Sequence, residues 1–233
     1  MRRALLICLL LLLGLPAGAA AARVELTGCV TALAAEERAA TFEARVRRTR
    51  GSERMQVSFR LQVRDATLPG WRRVVAARPD EWLTSDKGVR RYLYARTVEN
   101  LSAPAAYRMV ARFRWLDPDG AVLARTRATS RVCRQPDLRP NLTVTGIAFV
   151  APLYTVTLHN NGRSAPGPFS VVLRAGELEL ERVAVPDLAA GERRTLTFSG
   201  PACAAGSLLT ATLDPDLAVD ERNEYDNVLA APC

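Results

Sequence analysis

The chain has 233 residues, a formal net charge of +8 and 48% hydrophobic residues. Of its 32 basic residues only Lys87 is a lysine, so the positive balance is largely an arginine bias and does not by itself point to nucleic acid. A single histidine, His159, and the lack of any Cys-x-x-Cys spacing set a zinc site aside.

At the N-terminus, Met1-Arg2-Arg3 is a short positive region, Ala4–Leu15 an apolar core, and Pro16–Ala22 a run rich in small residues. This is the build of a secretory signal, with cleavage expected after Ala19 or after Ala22. The apolar run is shorter than the roughly 20 residues a spanning helix needs. Cys8 lies inside that run, away from the cleavage point, which argues against a lipoprotein anchor. The expected product is exported, secreted or held in the cell envelope, with no membrane span after signal removal. About 211 residues then remain, enough for two domains. The stretch Cys133–Pro140, with two prolines among charged residues, reads as the linker between residues 23–135 and residues 136–233. The first part holds 23 basic and 12 acidic residues and the second 7 basic and 12 acidic, so their net charges are +11 and −5.

In the first part, Val24–Ala32 fits an opening strand carrying Cys29. Phe42, Ala44 and Val46 alternate with Glu43, Arg45 and Arg47. In Met55–Arg64, Met55, Val57, Phe59, Leu61 and Val63 oppose Gln56, Ser58, Arg60, Gln62 and Arg64. Trp71–Ala76 is expected to add a shorter strand. Val89–Val98 is another, with its inward face left open between Tyr92/Tyr94 and Leu93/Ala95. Tyr107–Trp115 alternates again, Asp117-Pro118-Asp119-Gly120 turns the chain, and Ala121–Val132 returns antiparallel. Six or seven short strands separated by turn signals predict an immunoglobulin-like β-sandwich of no recognised family.

If Met55–Arg64, Tyr107–Trp115 and Ala121–Val132 share a sheet, its outer face collects Arg60, Arg64, Arg108, Arg112, Arg114, Arg125, Arg127 and Arg131. Guanidinium forks pair with carboxylates and phosphates, so the face is a candidate polyanion site, against a solvated-surface reading. Nucleic acid is disfavoured in an exported chain with no aromatics interleaved among these arginines along the strands. Trp71, Trp82 and Trp115 read individually as core or rim residues.

In the second part, Asn141–Val150 opens the domain, and Tyr154, Val156 and Leu158 point inward before His159-Asn160-Asn161-Gly162 turns. Phe169, Val171 and Leu173, then Leu178–Val185, then Leu196 and Phe198, mark further strands. Leu209, Ala211 and Leu213 alternate with threonines up to Asp214-Pro215-Asp216. After an acidic connector, Val228–Ala231 closes the chain.

The string Asp214–Asn227, DPDLAVDERNEYDN, resembles the closing hairpin of the CARDB domains, the cell-adhesion-related modules found in bacteria. Pro186–Glu192, Asn160-x-Gly162 and Pro168-Phe169 resemble other parts of the same family pattern in the same order. The resemblance implies a seven-stranded sandwich over residues 136–233 and a binding or adhesion role. With the first part, the expected fold is all-β, two tandem immunoglobulin-like β-sandwich domains.

Outside the signal, Cys29, Cys133, Cys203 and Cys233 allow three pairings; pairing within each half gives Cys29–Cys133 and Cys203–Cys233. The acidic connector, with Asp214, Asp216, Asp220, Glu221, Glu224 and Asp226, could offer oxygen ligands to calcium, but it does not match an EF-hand loop. The favoured reading is a structural turn in which Asp214, Asn223 and Asn227 satisfy backbone groups. No Ser-His-Asp arrangement, nucleophile elbow or phosphate-binding glycine loop is present, so no catalytic, metal or cofactor residue is assigned. The functional expectation is a non-enzymatic envelope module contacting an extracellular protein or glycan. The alternative is a polyanion binder using the arginine face.

Overall fold

The structure is a computed structural model that describes residues 21–67, 69–75, 81–150 and 152–233. Nearly all of the expected signal segment, residues 1–20, therefore lies outside the described residues. The fold is all-β: apart from one 3₁₀ turn at Ala35–Glu37, every regular element among the described residues is a strand. No helix there is long and apolar enough to cross a membrane. Two compact units result. One takes the described residues through Cys29 with Ala39–Val98 and Ala105–Arg134; the other takes Val30–Arg38, Glu99–Pro104 and Gln135–Cys233.

The first half of the chain forms β1 (Ala22–Val30), β2 (Ala39–Arg47), β3 (Arg54–Arg64), β4 (Arg72–Arg73), β5 (Leu83–Thr84), β6 (Arg91–Glu99), β7 (Ala105–Leu116), β8 (Val122–Thr129) and β9 (Cys133–Gln135). A three-stranded sheet has the order β1-β2-β6, and a six-stranded one has the order β4-β3-β7-β8, with β5 on β3 and β9 on β7. The core is the alternating face read from the sequence: Phe42, Ala44 and Val46 of β2 and Met55, Val57, Met109, Ala111, Phe113 and Trp115 of β3 and β7 are all buried. Trp115 is a core residue whose Nε1 donates to the Arg47 carbonyl at 2.8 Å. On β6 the open choice resolves toward the tyrosines. Tyr94 packs its ring 5.8 Å from Phe59, while Leu93 stays exposed. Ser85 and Ser130 substitute for ladder partners: their hydroxyls accept Met55 N–H and Met109 N–H, each at 2.9 Å.

Of the expected strand Trp71–Ala76, Ala76 lies outside the described residues, and within Trp71–Val75 only the two residues of β4 form a strand, paired with Gln62 and Val63. Asp65 draws Thr67 N–H into a local turn, Gly70 sits at φ 85°, and Val75 points into solvent, so there is little apolar face to extend the pairing.

The second half forms β10 (Leu142–Val150), β11 (Leu153–Asn160), β12 (Phe169–Ala175), β13 (Leu178–Val185), β14 (Arg193–Ser199), β15 (Leu208–Leu213) and β16 (Val228–Pro232). They divide into sheets β10-β11-β14 and β13-β12-β15-β16. Between the sheets lie Leu142, Tyr154, Val156, Leu158, Phe169, Val171, Leu173, Phe198, Leu209, Ala211 and Leu213, closed by Leu188 and Val219 from loops. Tyr154 keeps its ring in this core by donating its hydroxyl to the Pro201 carbonyl at 2.6 Å. His159 is not in the turn: it is the penultimate residue of β11, paired with Thr143 and Arg193.

Disulfides join Cys29 to Cys133 and Cys203 to Cys233, with Cα separations of 5.5 and 5.9 Å. The first ties β1 in one sheet to β9 in the other. The second closes β15 and β16, where Leu208 faces Pro232 and Cys233 N–H donates to the Ser207 carbonyl at 3.0 Å. Replacing Cys203 and Cys233 by serine is expected to cost about 3–4 kcal/mol of stability by loop-closure entropy. Hydrogen exchange should rise in β16 before it rises in β2, β3 or β7; the reverse order would contradict this role.

Candidate functional site

The arginine face is built by register. Residues Arg54–Arg64 of β3 pair antiparallel with Ala106–Leu116 of β7, which sets Gln56 beside Arg114, Ser58 beside Arg112 and Gln62 beside Arg108. β8 then places Arg127 beside Arg112 and Arg125 beside Arg114. Alternation does the rest: with Met55, Val57, Phe113 and Trp115 inward, every one of these arginines must point out.

The tryptophans missing from the strands reach this face from the positions just before β5 and just before β4. Trp71 lies beneath Arg64 and Arg108, with guanidinium carbons 5.1 and 4.2 Å from the ring centroid. Trp82 holds Arg112 at 5.3 Å and Arg114 at 3.8 Å. Both rings are thus platforms for guanidinium groups, which the individual reading of Trp71 and Trp82 as core or rim residues did not foresee. Arg108 Nε donates to Gln62 Oε1 at 2.8 Å, Arg112 Nη2 to Ser58 Oγ at 3.2 Å, and Arg114 Nε to Gln56 Oε1. Gln56 is itself held by donating to Thr84 Oγ1 at 2.8 Å. Burial first, and then the positive neighbours Arg125 and Arg112, push the Arg114 guanidinium below its ordinary pKa.

Not all eight predicted arginines belong to this stripe. Arg60 shares the face, opposite Val110. Arg131 lies past the end of β8, after Ser130 N–H donates to the Met109 carbonyl, and lines a separate cavity with Arg23, Glu25 and Thr129. In strand geometry the stripe spaces its charges roughly 7 Å apart along a strand and about 4.8 Å apart across strands.

The acidic connector disperses its carboxylates instead of converging them. Asp214, buried and at φ 42°, accepts Ala218 N–H at 3.1 Å and Val219 N–H at 2.8 Å. Asp216 pairs with Arg182 and Asp220 with Arg139. Asn223 Oδ1 accepts Tyr225 N–H at 3.3 Å, as a turn residue should. Asn227 departs from the expected role: its amide donates to Glu221 Oε1 at 2.8 Å and not to backbone. Among the described residues, no three His, Cys, Asp or Glu side chains gather as a metal site.

Glu221, read from the sequence only as one of the connector's acids, has a role that sequence reasoning missed. It is 2% exposed and accepts Leu142 N–H, fastening the connector to the start of β10. Beside it, Asn160 Oδ1 accepts Asn141 N–H at 3.1 Å and Gly162 N–H at 3.0 Å, while its amide donates to the carbonyls of Ser164 and Leu188. A Cβ on Gly162 would come 2.4 Å from Asn141 N, so the Asn-x-Gly pattern has a steric reason as well as a hydrogen-bonding one.

Burial pushes the Glu221 carboxyl up to about 7, against the opposing hydrogen bonds from Leu142 and Asn227 and with help from Glu224 and Asp214. Its unfolded value is about 4.3, so between that pH and 7 the folded chain keeps a proton that the unfolded chain releases. The stabilisation is fully present below the unfolded value and disappears as pH rises through 7. Urea unfolding is therefore expected to show higher stability at pH 5.5 than at pH 8, by up to about 2 kcal/mol from this group. Glu221→Gln, which mimics the protonated form, should flatten that dependence; an unchanged slope would remove Glu221 as its source.

Residues 135–231 match the family model of CARDB. Among solved structures, a domain described as part of a cell surface protein of Methanosarcina acetivorans is 27% identical, covers 40% of this chain and 89% of its own, and superposes with a TM-score of 0.38. A CARDB domain from Pyrococcus furiosus, solved in complex with di-metal ions, is 25% identical over 40% of this chain and 84% of its own, with a TM-score of 0.34. The bifunctional aminodeoxychorismate lyase / D-amino acid transaminase of Mycobacterium tuberculosis is 36% identical over 83 residues, 35% of this chain and 27% of that protein. The chain thus spans about a quarter of the length of that curated relative. The matched segment begins at Gln135 and runs through all seven strands of the second half, so residues 135–231 are a CARDB domain.

Proposed function

We propose that this chain is an exported bacterial binding module that contacts a protein or glycan partner at the cell envelope. The CARDB domain carries this reading, since a cell-adhesion-related domain fits a binding role. The two disulfides support an oxidising, extracytoplasmic compartment. A CARDB domain and an all-β fold are of a non-enzymatic kind, so the module works by contact and not by turnover. The tandem immunoglobulin-like arrangement belongs to the same reading, supported by sheets of three and six strands in the first half and three and four in the second.

The start of β1 bears on processing. Ala22 is the first residue of that strand, and the Ala21 carbonyl accepts Arg47 N–H at 2.7 Å. Cleavage after Ala22 would delete both; cleavage after Ala19 would keep them. When the full chain is expressed in a bacterial host, the exported protein is expected to begin at Ala20 by N-terminal sequencing. It should fractionate with the envelope or medium and contain no titratable thiol. Recovery in the cytoplasm with reduced cysteines would overturn the reading, and an N-terminus at Arg23 would overturn the processing site alone.

A further inference from the structure

The tryptophan-backed stripe differs from an ordinary solvated charged surface in how its cations are held. Arg108 and Arg114 each lie over an indole ring and donate to a glutamine carbonyl, so neutral groups fix their position without cancelling their charge. Arg125 and Arg127 stand exposed on the next strand, and no carboxylate of the described residues pairs with Arg108, Arg114, Arg125 or Arg127. Like charges on neighbouring strands repel, a cost that an incoming anion would relieve. Immobilised guanidinium forks also lose little side-chain entropy on binding.

Three kinds of occupant carry enough negative charge. Single-stranded nucleic acid binds by stacking bases on open aromatic faces, but here guanidinium groups already cover Trp71 and Trp82. The acidic second half of another copy is a poor match too, because its carboxylates are largely engaged locally. Asp137 and Asp220 pair with Arg139, Glu179 with Arg174, Asp216 with Arg182 and Glu192 with Arg194. An acidic polysaccharide needs neither an open ring nor a folded surface; it presents repeated carboxylate or sulfate groups to a row of fixed forks.

We propose that the outer face of β3, β7 and β8 binds an acidic polysaccharide, with Arg125 and Arg127 as the exposed contacts and the tryptophan-held Arg108 and Arg114 beside them. This assignment rests on the reading of the chain as an envelope binding module and names its partner class.

The test uses the disulfide-bonded full chain, titrated by calorimetry with polygalacturonate and dextran sulfate, with neutral dextran and a thymidine oligonucleotide in separate arms. Arg125→Gln/Arg127→Gln is compared with Arg163→Gln/Arg193→Gln, which removes the same charge from exposed positions in the second half. Both variants should keep the wild-type melting temperature. Loss of charged hydrogen bonds predicts about tenfold or greater weakening for the first variant, for whichever of the two acidic polymers binds. The second variant should stay within about twofold, as expected for exposed charges that are not part of the site. Binding should also weaken with added salt. The face is overturned by equal losses in both variants, by no loss in the first, or by no binding of either acidic polymer. Tighter binding of the oligonucleotide, or a wild-type dimer that only the first variant disrupts, would assign the face to another occupant. If envelope localisation holds while the first variant binds like wild type, only this face falls. If the face binds but the chain is cytoplasmic, only the envelope reading falls.

Discussion

The antiparallel register between β3 and β7 is the constraint on which the first half of the molecule depends. It pairs Arg54 with Leu116 and runs unbroken to Arg64 with Ala106. Because side chains alternate strictly, a slip of one residue would send Arg108, Arg112 and Arg114 into the core and Met109, Phe113 and Trp115 into water. Burying unpaired guanidinium groups is costly enough to exclude that alternative. One pairing therefore produces two surfaces at once: an apolar layer that holds the sheets together and a charged layer whose positions are inherited from it.

The second half is organised by a different economy. Its core is apolar and continuous, but its loops are held by polar side chains taken out of water. Asn160 uses both ends of its amide on four backbone groups, Asp214 caps its own turn, and Glu221 reaches β10 from a loop far along the chain. Each is nearly inaccessible to solvent. Such groups stabilise only when their partners are in place, so they select one loop arrangement over many of similar apolar burial.

Much of this was legible beforehand because period-two alternation is a local signal. Phe42, Ala44, Val46 and the inward rows of β3, β7 and β11 could be assigned from spacing alone. What was not legible depends on contacts distant in sequence. Trp82 and Arg114 are far apart in the chain, so no local pattern announces their stacking. Glu221 stands in a run of acids and reads as one more solvated carboxylate until the fold brings Leu142 N–H to it. Val172 breaks the alternation of β12 and is buried all the same, flanked on the two neighbouring strands by Arg182 and Thr212. Trp71–Val75 keeps only the short β4 for the opposite reason: local composition favoured pairing that the surrounding turns cut short.

The Cys203–Cys233 bridge has a consequence for exchange between molecules. Among the described strands β16 is the outermost of its sheet, and it is only five residues long. A short edge strand of this kind is easily lent to a neighbouring copy, the usual route to domain-swapped dimers and open-ended polymers. Here the covalent link joins the end of β16 to the chain just before β15, the strand it pairs with. The segment can fray, but it cannot be donated elsewhere while the bond is intact. Even at high local concentration, each molecule would keep this sheet closed on itself.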